Sequence, residues 1–344
     1  MPLTPIYTRS PRFISETGTV NQEVRVDLFV WNSPDSIPTN PTTVLSKPIP
    51  STTRTTVQFD ISPYIREDLA FTTFTAVTVE GALPVGEYCY ATAKTYLDDV
   101  LQTTDEFICF DGYGYFADGN NPTVSPILAD EGTYYYETSN SDEGAIVIHD
   151  DQAVTWTANY AELGSTAPAT IITISNEVSQ IPNVHADFRL FGNTVTIYRN
   201  SVLQKTLVFE PICEGKYTII KCDFINRHGA WQRINFFKVS KSKFSAKRKD
   251  YNLMPSSVAY STSANIRQSF NINGNDSITC NTGWVNDGYA EQIKQLMLSE
   301  EVRLDDVPVK VKTMSTDLKE GINDQNINYK IDFDYSFSTI NYIV

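Results

Sequence analysis

Residues 221–237, KCDFINRHGAWQRINFF, constrain this chain more than any other stretch. Apolar and polar residues alternate on both sides of a short polar bend: Ile220, Cys222 and Phe224 take one side of a first strand, Ile234 and Phe236 one side of a second. Asn226, Arg227 and His228 make the bend and Gly229 closes it, which predicts an antiparallel hairpin with one buried face. A His and an Arg in the turn invite a catalytic reading. No Ser, Cys or carboxylate at a recognisable spacing completes a nucleophilic or metal-binding set around them.

The same period of two recurs from the start of the chain. Val24, Val26, Leu28 and Val30 alternate with Arg25, Asp27, Phe29 and Trp31; the loop NSPDSIPTNPTT follows, then Val57, Phe59 and Ile61, then 88–96 and 106–110. Short strands at this spacing predict a β-sandwich of immunoglobulin or fibronectin type III character over residues 1–116. The block DGYGYFADGNNP at 111–122 reads as a boundary of turn residues, with Tyr113, Tyr115 and Phe116 available to pin it. A second antiparallel β unit is expected over 117–212, with a Gly192-Asn193 turn between Leu190 and Val195. Residues 213–344 read as an α+β assembly domain with one clear helix near 288–300, capped by Asp287 and striped by Tyr289, Ile293, Leu296 and Met297. A closing strand alternates Tyr329, Ile331, Phe333, Tyr335 and Phe337 against Lys330, Asp332, Asp334 and Ser336, and its apolar face requires a cover. The fold class expected is mainly β and multidomain.

Charge divides the chain unevenly. Residues 1–210 hold 10 Lys plus Arg against 26 Asp plus Glu, and residues 211–344 hold 17 against 15, a net of −16 followed by +2. An acidic front repels nucleic acid and steers toward a basic surface. Lys238, Lys241, Lys243, Lys247, Arg248 and Lys249 crowd one run with only Phe244 and Tyr251 as aromatic neighbours, which reads as a charged strand edge or a docking arm for an acidic partner rather than a nucleic-acid site. The cysteines at 89, 109, 213, 222 and 280 are odd in number and scattered, so they are expected reduced and packed. The opening MPLTPIYTRSPRF lacks an apolar leader, and no window approaches a membrane span; the expectation is a protein made in a cytoplasm and not exported.

His149, His185 and His228 stand far apart, and no phosphate loop, dinucleotide fingerprint or nucleophile elbow occurs. An enzyme is not expected, and neither catalytic, metal nor cofactor residues are assigned. Asp111, Asp118 and Asn120 offer oxygen ligands for calcium, but their spacing is not that of a calcium loop. Trp31, Trp156, Trp231 and Trp284 give an alternative reading, a carbohydrate-binding or adhesin module whose rings stack on sugars; a cell-wall hydrolase is a third. The candidate interface is Lys241, Lys243, Lys247, Arg248, Lys249, Trp231, Trp284, Tyr113 and Tyr115.

The segments DFINRHGAWQRINFFK, TGWVNDGYAEQIKQLMLSEEVRL and VKVKTMSTDLKEGINDQNINYKIDFDYSF, with the DGYGYFADGNNP block, resemble tail structural proteins of tailed bacteriophages, in particular crAss-like and related gut phages. The resemblance implies a virion protein forming a cyclic ring, twelvefold or sixfold, in the tail, hub or baseplate, in contact with other tail proteins. It implies no catalytic residues. Such a ring needs two complementary surfaces on each subunit, because head-to-tail contacts close only when one patch meets another.

Overall fold

The computed structural model describes residues 3–32, 36–71, 74, 77–138, 144–150, 154–165, 170–174, 177–212, 216–253, 263, 265–286, 288–317 and 327–340. The protein is mainly β, at 53% strand and 7% helix, in several sheets. Cys213 and Asp287 lie outside the described residues; Cys89, Cys109, Cys222 and Cys280 are free and buried. Burial raises the Cys109 thiol well above its ordinary range and pushes that of Cys280 up to about 12, so both behave as small apolar residues.

The front of the chain forms a five-stranded sheet in the order Thr4–Tyr7, Val100–Phe110, Tyr88–Leu97, Glu23–Trp31, Thr43–Pro48. It faces a two-stranded sheet of Phe13–Thr17 and Thr56–Asp60. Only Thr4–Tyr7 runs parallel to its neighbour. The alternation read from the sequence sets the interior: Val24, Val26, Leu28 and Val30 meet Ile14, Val57 and Phe59 across the sandwich.

The middle of the chain repeats this arrangement strand for strand. Its five-stranded sheet runs Gly132–Glu137, Val202–Ile212, Asn193–Arg199, Trp156–Glu162, Thr170–Ile174, with Ala145–His149 and Val178–Pro182 opposite. Counting seven strands in chain order, both units pair as 1-7-6-3-4 with 2-5 facing, and strand 1 is parallel to strand 7 in each. The two are tied together by Gly81–Ala82, a two-residue strand from the first sandwich that extends the second sandwich's small sheet along Val178–Pro182.

The back of the chain is a seven-stranded antiparallel sheet ordered Trp231–Phe236, Ile220–Ile225, Val302–Leu304, Val307–Val311, Lys330–Tyr335, Arg267–Asn281, Lys241–Asn252. Helix Tyr289–Leu298 covers it with Ile293 and Leu296, both fully buried against Cys222, Phe224, Ile331 and Phe333. The apolar face of the closing strand is thus covered within the chain, and the strand stops at Tyr335, leaving Phe337 exposed.

The hairpin 220–236 departs from its expectation of one buried face. Its second face, carrying Asp223, Ile225, Trp231 and Arg233, is buried as well, because Phe71 and Phe74 of the first sandwich lie over it. Burying that face is tolerable because Arg233 grips Asp223 with two hydrogen bonds, at 2.6 and 2.8 Å, which leaves neither charge unpaired.

Candidate assembly interface

The bend of that hairpin is the joint of the molecule. Asn226 Nδ2 donates to the Leu128 carbonyl at 2.9 Å, Tyr113 N–H donates to the Arg227 carbonyl at 2.7 Å, and the Tyr7 hydroxyl meets His228 Nδ1 at 2.8 Å. His228 Nε2 lies 3.0 Å from Asp130, which also accepts from Arg227 at 2.9 Å and from Gln295 of the helix. First sandwich, boundary segment, hairpin and helix therefore converge on one buried polar cluster. Two glycines permit the approach. A Cβ on Gly229, whose φ is +83°, would lie 2.7 Å from the backbone nitrogens of Asp111 and Gly112, and a Cβ on Gly112 would lie 2.7 Å from the Arg227 carbonyl oxygen.

The electrostatics of this cluster are those of a clasp. Burial lowers the His228 pKa, more than its carboxylate neighbour restores. Burial alone would lift the Asp130 carboxyl, but the hydrogen bonds from His228 and Gln295 and the Arg227 charge outweigh it and hold the group well below the usual carboxylate range. Burial pushes the Tyr7 hydroxyl up to about 12. Every polar group named here is engaged with another part of the same chain.

Tyr113 and Tyr115, expected as interface residues, belong to this internal joint. Arg9 lies over the Tyr113 ring at 4.9 Å; the Tyr115 hydroxyl donates to Glu291, with Lys294 over its ring at 3.8 Å. Trp231 is also internal: it is 4% exposed, packed edge-on against Phe71, with Arg303 at 5.6 Å. Trp156 is buried in the second sandwich, and Trp31 stacks on Tyr90 at 5.8 Å; Trp284 is the tryptophan with an open face, at 57% exposure. One open ring makes a poor sugar platform. Of the oxygen ligands considered for calcium, Asp111 accepts from Arg66 and Thr8, and Asp118 from the Tyr115 N–H.

The basic run has the opposite character. Lys241–Asn252 is a strand whose twelve residues are all exposed. It pairs with Arg267–Asn281, which is itself paired on its other side only from Ser277 to Asn281. Beyond Asn275 the two strands project as a ribbon with no third strand beside them among the described residues; Thr339 N–H donates to the Gly274 carbonyl at 2.9 Å and Ile340 N–H to Asn273 Oδ1 at 3.0 Å near its base. Lys241, Lys243 and Lys247 share one face through their partners Thr279, Ser277 and Asn273. Arg248 and Arg267 reach Asp250 at 3.8 and 3.3 Å, whereas Lys241, Lys243, Lys247 and Lys249 have no ion-pair partner among the described residues.

A cleft of about 910 Å3 lies between the first sandwich and the end of the helix, lined by Arg9, Arg66, Phe71, Asp111 and Glu300 among others. Its two cations are already engaged: Arg66 binds Asp111 at 2.8 Å and Glu300 at 2.7 Å, and Arg9 binds Glu300 at 3.3 Å, while Glu67 and Glu301 also line it. No helix among the described residues is long and apolar enough to cross a membrane. No family model, curated protein or solved structure matches this chain.

Proposed function

We propose that this chain is a structural subunit of a bacteriophage tail, one member of a ring or hub, with no catalytic role. The two repeated sandwiches are read as immunoglobulin or fibronectin type III-like modules, from their shared 1-7-6-3-4 and 2-5 strand order. Domain limits of 1–116, 117–212 and 213–344 follow in this reading, the last being the assembly domain. Ring symmetry, twelvefold or sixfold, and contacts with other tail proteins come from the resemblance alone.

The observation that carries the reading is the contrast between a tightly clasped interior and the bare arm. A strand with all twelve residues exposed, five of them cationic, has no role in the chain's own core. Beside residues 1–210 of net charge −16, it is the kind of element that docks on another subunit. Image reconstruction of intact particles tests this directly. The expected result is a cyclic set of copies within the tail; absence of the chain from purified particles refutes the proposal.

A further inference from the structure

Lysines on a sheet edge have a plain explanation, since they deter unwanted strand pairing. That explanation covers Lys241 and Lys243, which flank the seven-stranded sheet, and Phe244 is accounted for by its ring lying over Gly274. It does not cover the projecting half. There Tyr251, Ile266, Phe270 and Ile272 are 41%, 48%, 47% and 46% exposed, and Tyr251 meets Phe270 edge-on at 5.4 Å. A two-stranded ribbon is marginal in water without a third strand or a covering surface. A ribbon carrying aromatic and branched apolar residues beside unpaired cations calls for a partner that is acidic and partly apolar.

We infer that the ribbon formed by Lys241–Asn252 and Arg267–Asn281 docks on the acidic sandwiches of a second copy of this chain. Residues 1–210 supply the net charge of −16. They also supply exposed apolar residues next to acid: Asp99, which pairs with Arg25 but keeps 82% of its side chain exposed, precedes Val100 and Leu101, at 62% and 50%. The contact is heterologous, arm to front, so each copy keeps a free front for the next arm. This inference rests on the reading of the chain as an assembly subunit and names the partner of its arm.

The test is sedimentation velocity on the full-length protein at about 50 mM and about 500 mM salt, with lysine-to-carboxylate cross-linking between differently isotope-labelled copies. Self-association is expected at low salt, weakened at least about tenfold at high salt, with cross-links from Lys247 and Lys249 to carboxylates within residues 1–210 of the other copy. K243E/K247E/K249E is expected to remove the low-salt association, and Y251S/F270S to weaken it at both salts. All five positions are solvent-exposed, and an unchanged circular dichroism melt confirms that each variant folds. A wild type that stays monomeric at low salt, charge-reversed protein that associates as wild type does, or cross-links confined to one copy overturns the inference. So does random-sequence duplex DNA bound by the arm without self-association. Tail rings in which the arm touches no sibling subunit would refute this contact alone, and arm-dependent self-association of a chain absent from particles would refute the tail reading alone.

Discussion

The first sandwich lines its sixth and seventh strands with Cys89, Ala91, Ala93 and Cys109 and its third with Val24, Val26, Leu28 and Val30, whereas the second lines the sixth and seventh with Val195, Ile197, Leu207 and Phe209 and the third with Trp156, Ala158 and Tyr160, and the strand order is the same in both. What they share is turn chemistry. Strands 6 and 7 are joined in one by Asp98-Asp99 and in the other by Asn200-Ser201, all four residues with positive φ between 48° and 65°. Each turn is fastened to the start of strand 3 by a reciprocal pair of hydrogen bonds. Asp98 N–H donates to the Glu23 carbonyl while Glu23 N–H donates to the Asp98 carboxylate; Asn200 N–H donates to the Thr155 carbonyl while Thr155 N–H donates to the Asn200 side chain. The third sheet uses the device again, Asp305 exchanging the same two bonds with Lys221. Core composition varies freely here; the short polar side chain that accepts left-handed backbone and reaches a neighbouring strand does not.

The comparison can be broken hardest in the cores. Trp156→Ala is expected to cost about 3–5 kcal/mol, because a large buried ring leaves a cavity that the second sandwich cannot close. Chemical denaturation followed by circular dichroism should show one transition moved to lower denaturant, since the strand Gly81–Ala82 and the hairpin joint tie the units together. A split transition would mean that the sandwiches unfold separately.

An asymmetry comes next. Glu87 immediately precedes strand 6 of the first sandwich, where the second has Gly192, and it is 3% exposed. Burial pushes its carboxyl up to about 7, with the Trp231 indole acting the other way. A carboxyl raised in the folded state contributes stability that is full below its unfolded value near 4.5 and lost as pH rises through about 7. Thermal melts should therefore lose about 3 kcal/mol between pH 4.5 and pH 8 from this group. In Glu87→Gln that part of the pH dependence should vanish.

The turns sharpen the likeness. Asp98→Ala loses the bonds from Glu23 N–H and the exposed Gln22 side chain, Asn200→Ala the one from Thr155 N–H, and both place Ala in left-handed backbone, so each should cost about 1–2 kcal/mol by the same denaturation assay. Markedly unequal losses would show that the turns are alike in shape only. The smallest expected effect separates Lys205 from its counterpart Thr103. Lys205 Nζ donates to the Ile127 and Ala129 carbonyls, at 3.4 and 2.5 Å, holding the segment that leads into the second sandwich against its seventh strand. Lys205→Met should cost about 1 kcal/mol and Thr103→Met close to nothing.

Alternation made the strands and the helix stripe legible, since a period of two or 3.6 is imposed by which face is buried. The repeat is hidden because so little of it is shared in letters: TYLDDVLQTT and IYRNSVLQKT at the two turns carry the signal, and the surrounding cores have diverged. Trp231 illustrates a second limit. Its phase in the strand correctly sets it opposite Ile234 and Phe236, but nothing local reveals that Phe71 and Phe74, some 160 residues earlier, cover that face too. The Tyr113 and Tyr115 rings are misplaced for the same reason, their partners being Arg9, Glu291 and Lys294. The basic arm is legible as charge, while its projection beyond the sheet depends on where strand 330–335 ends.

The strand Gly81–Ala82 also sets a schedule for synthesis. Its pairing partners Ser179 and Gln180 leave the ribosome about 100 residues later, which at typical elongation rates is about 5–20 s. Throughout that interval the nascent first sandwich must carry an unpaired segment of backbone, and the connection between its fifth and sixth strands can settle only when the second sandwich arrives to receive it.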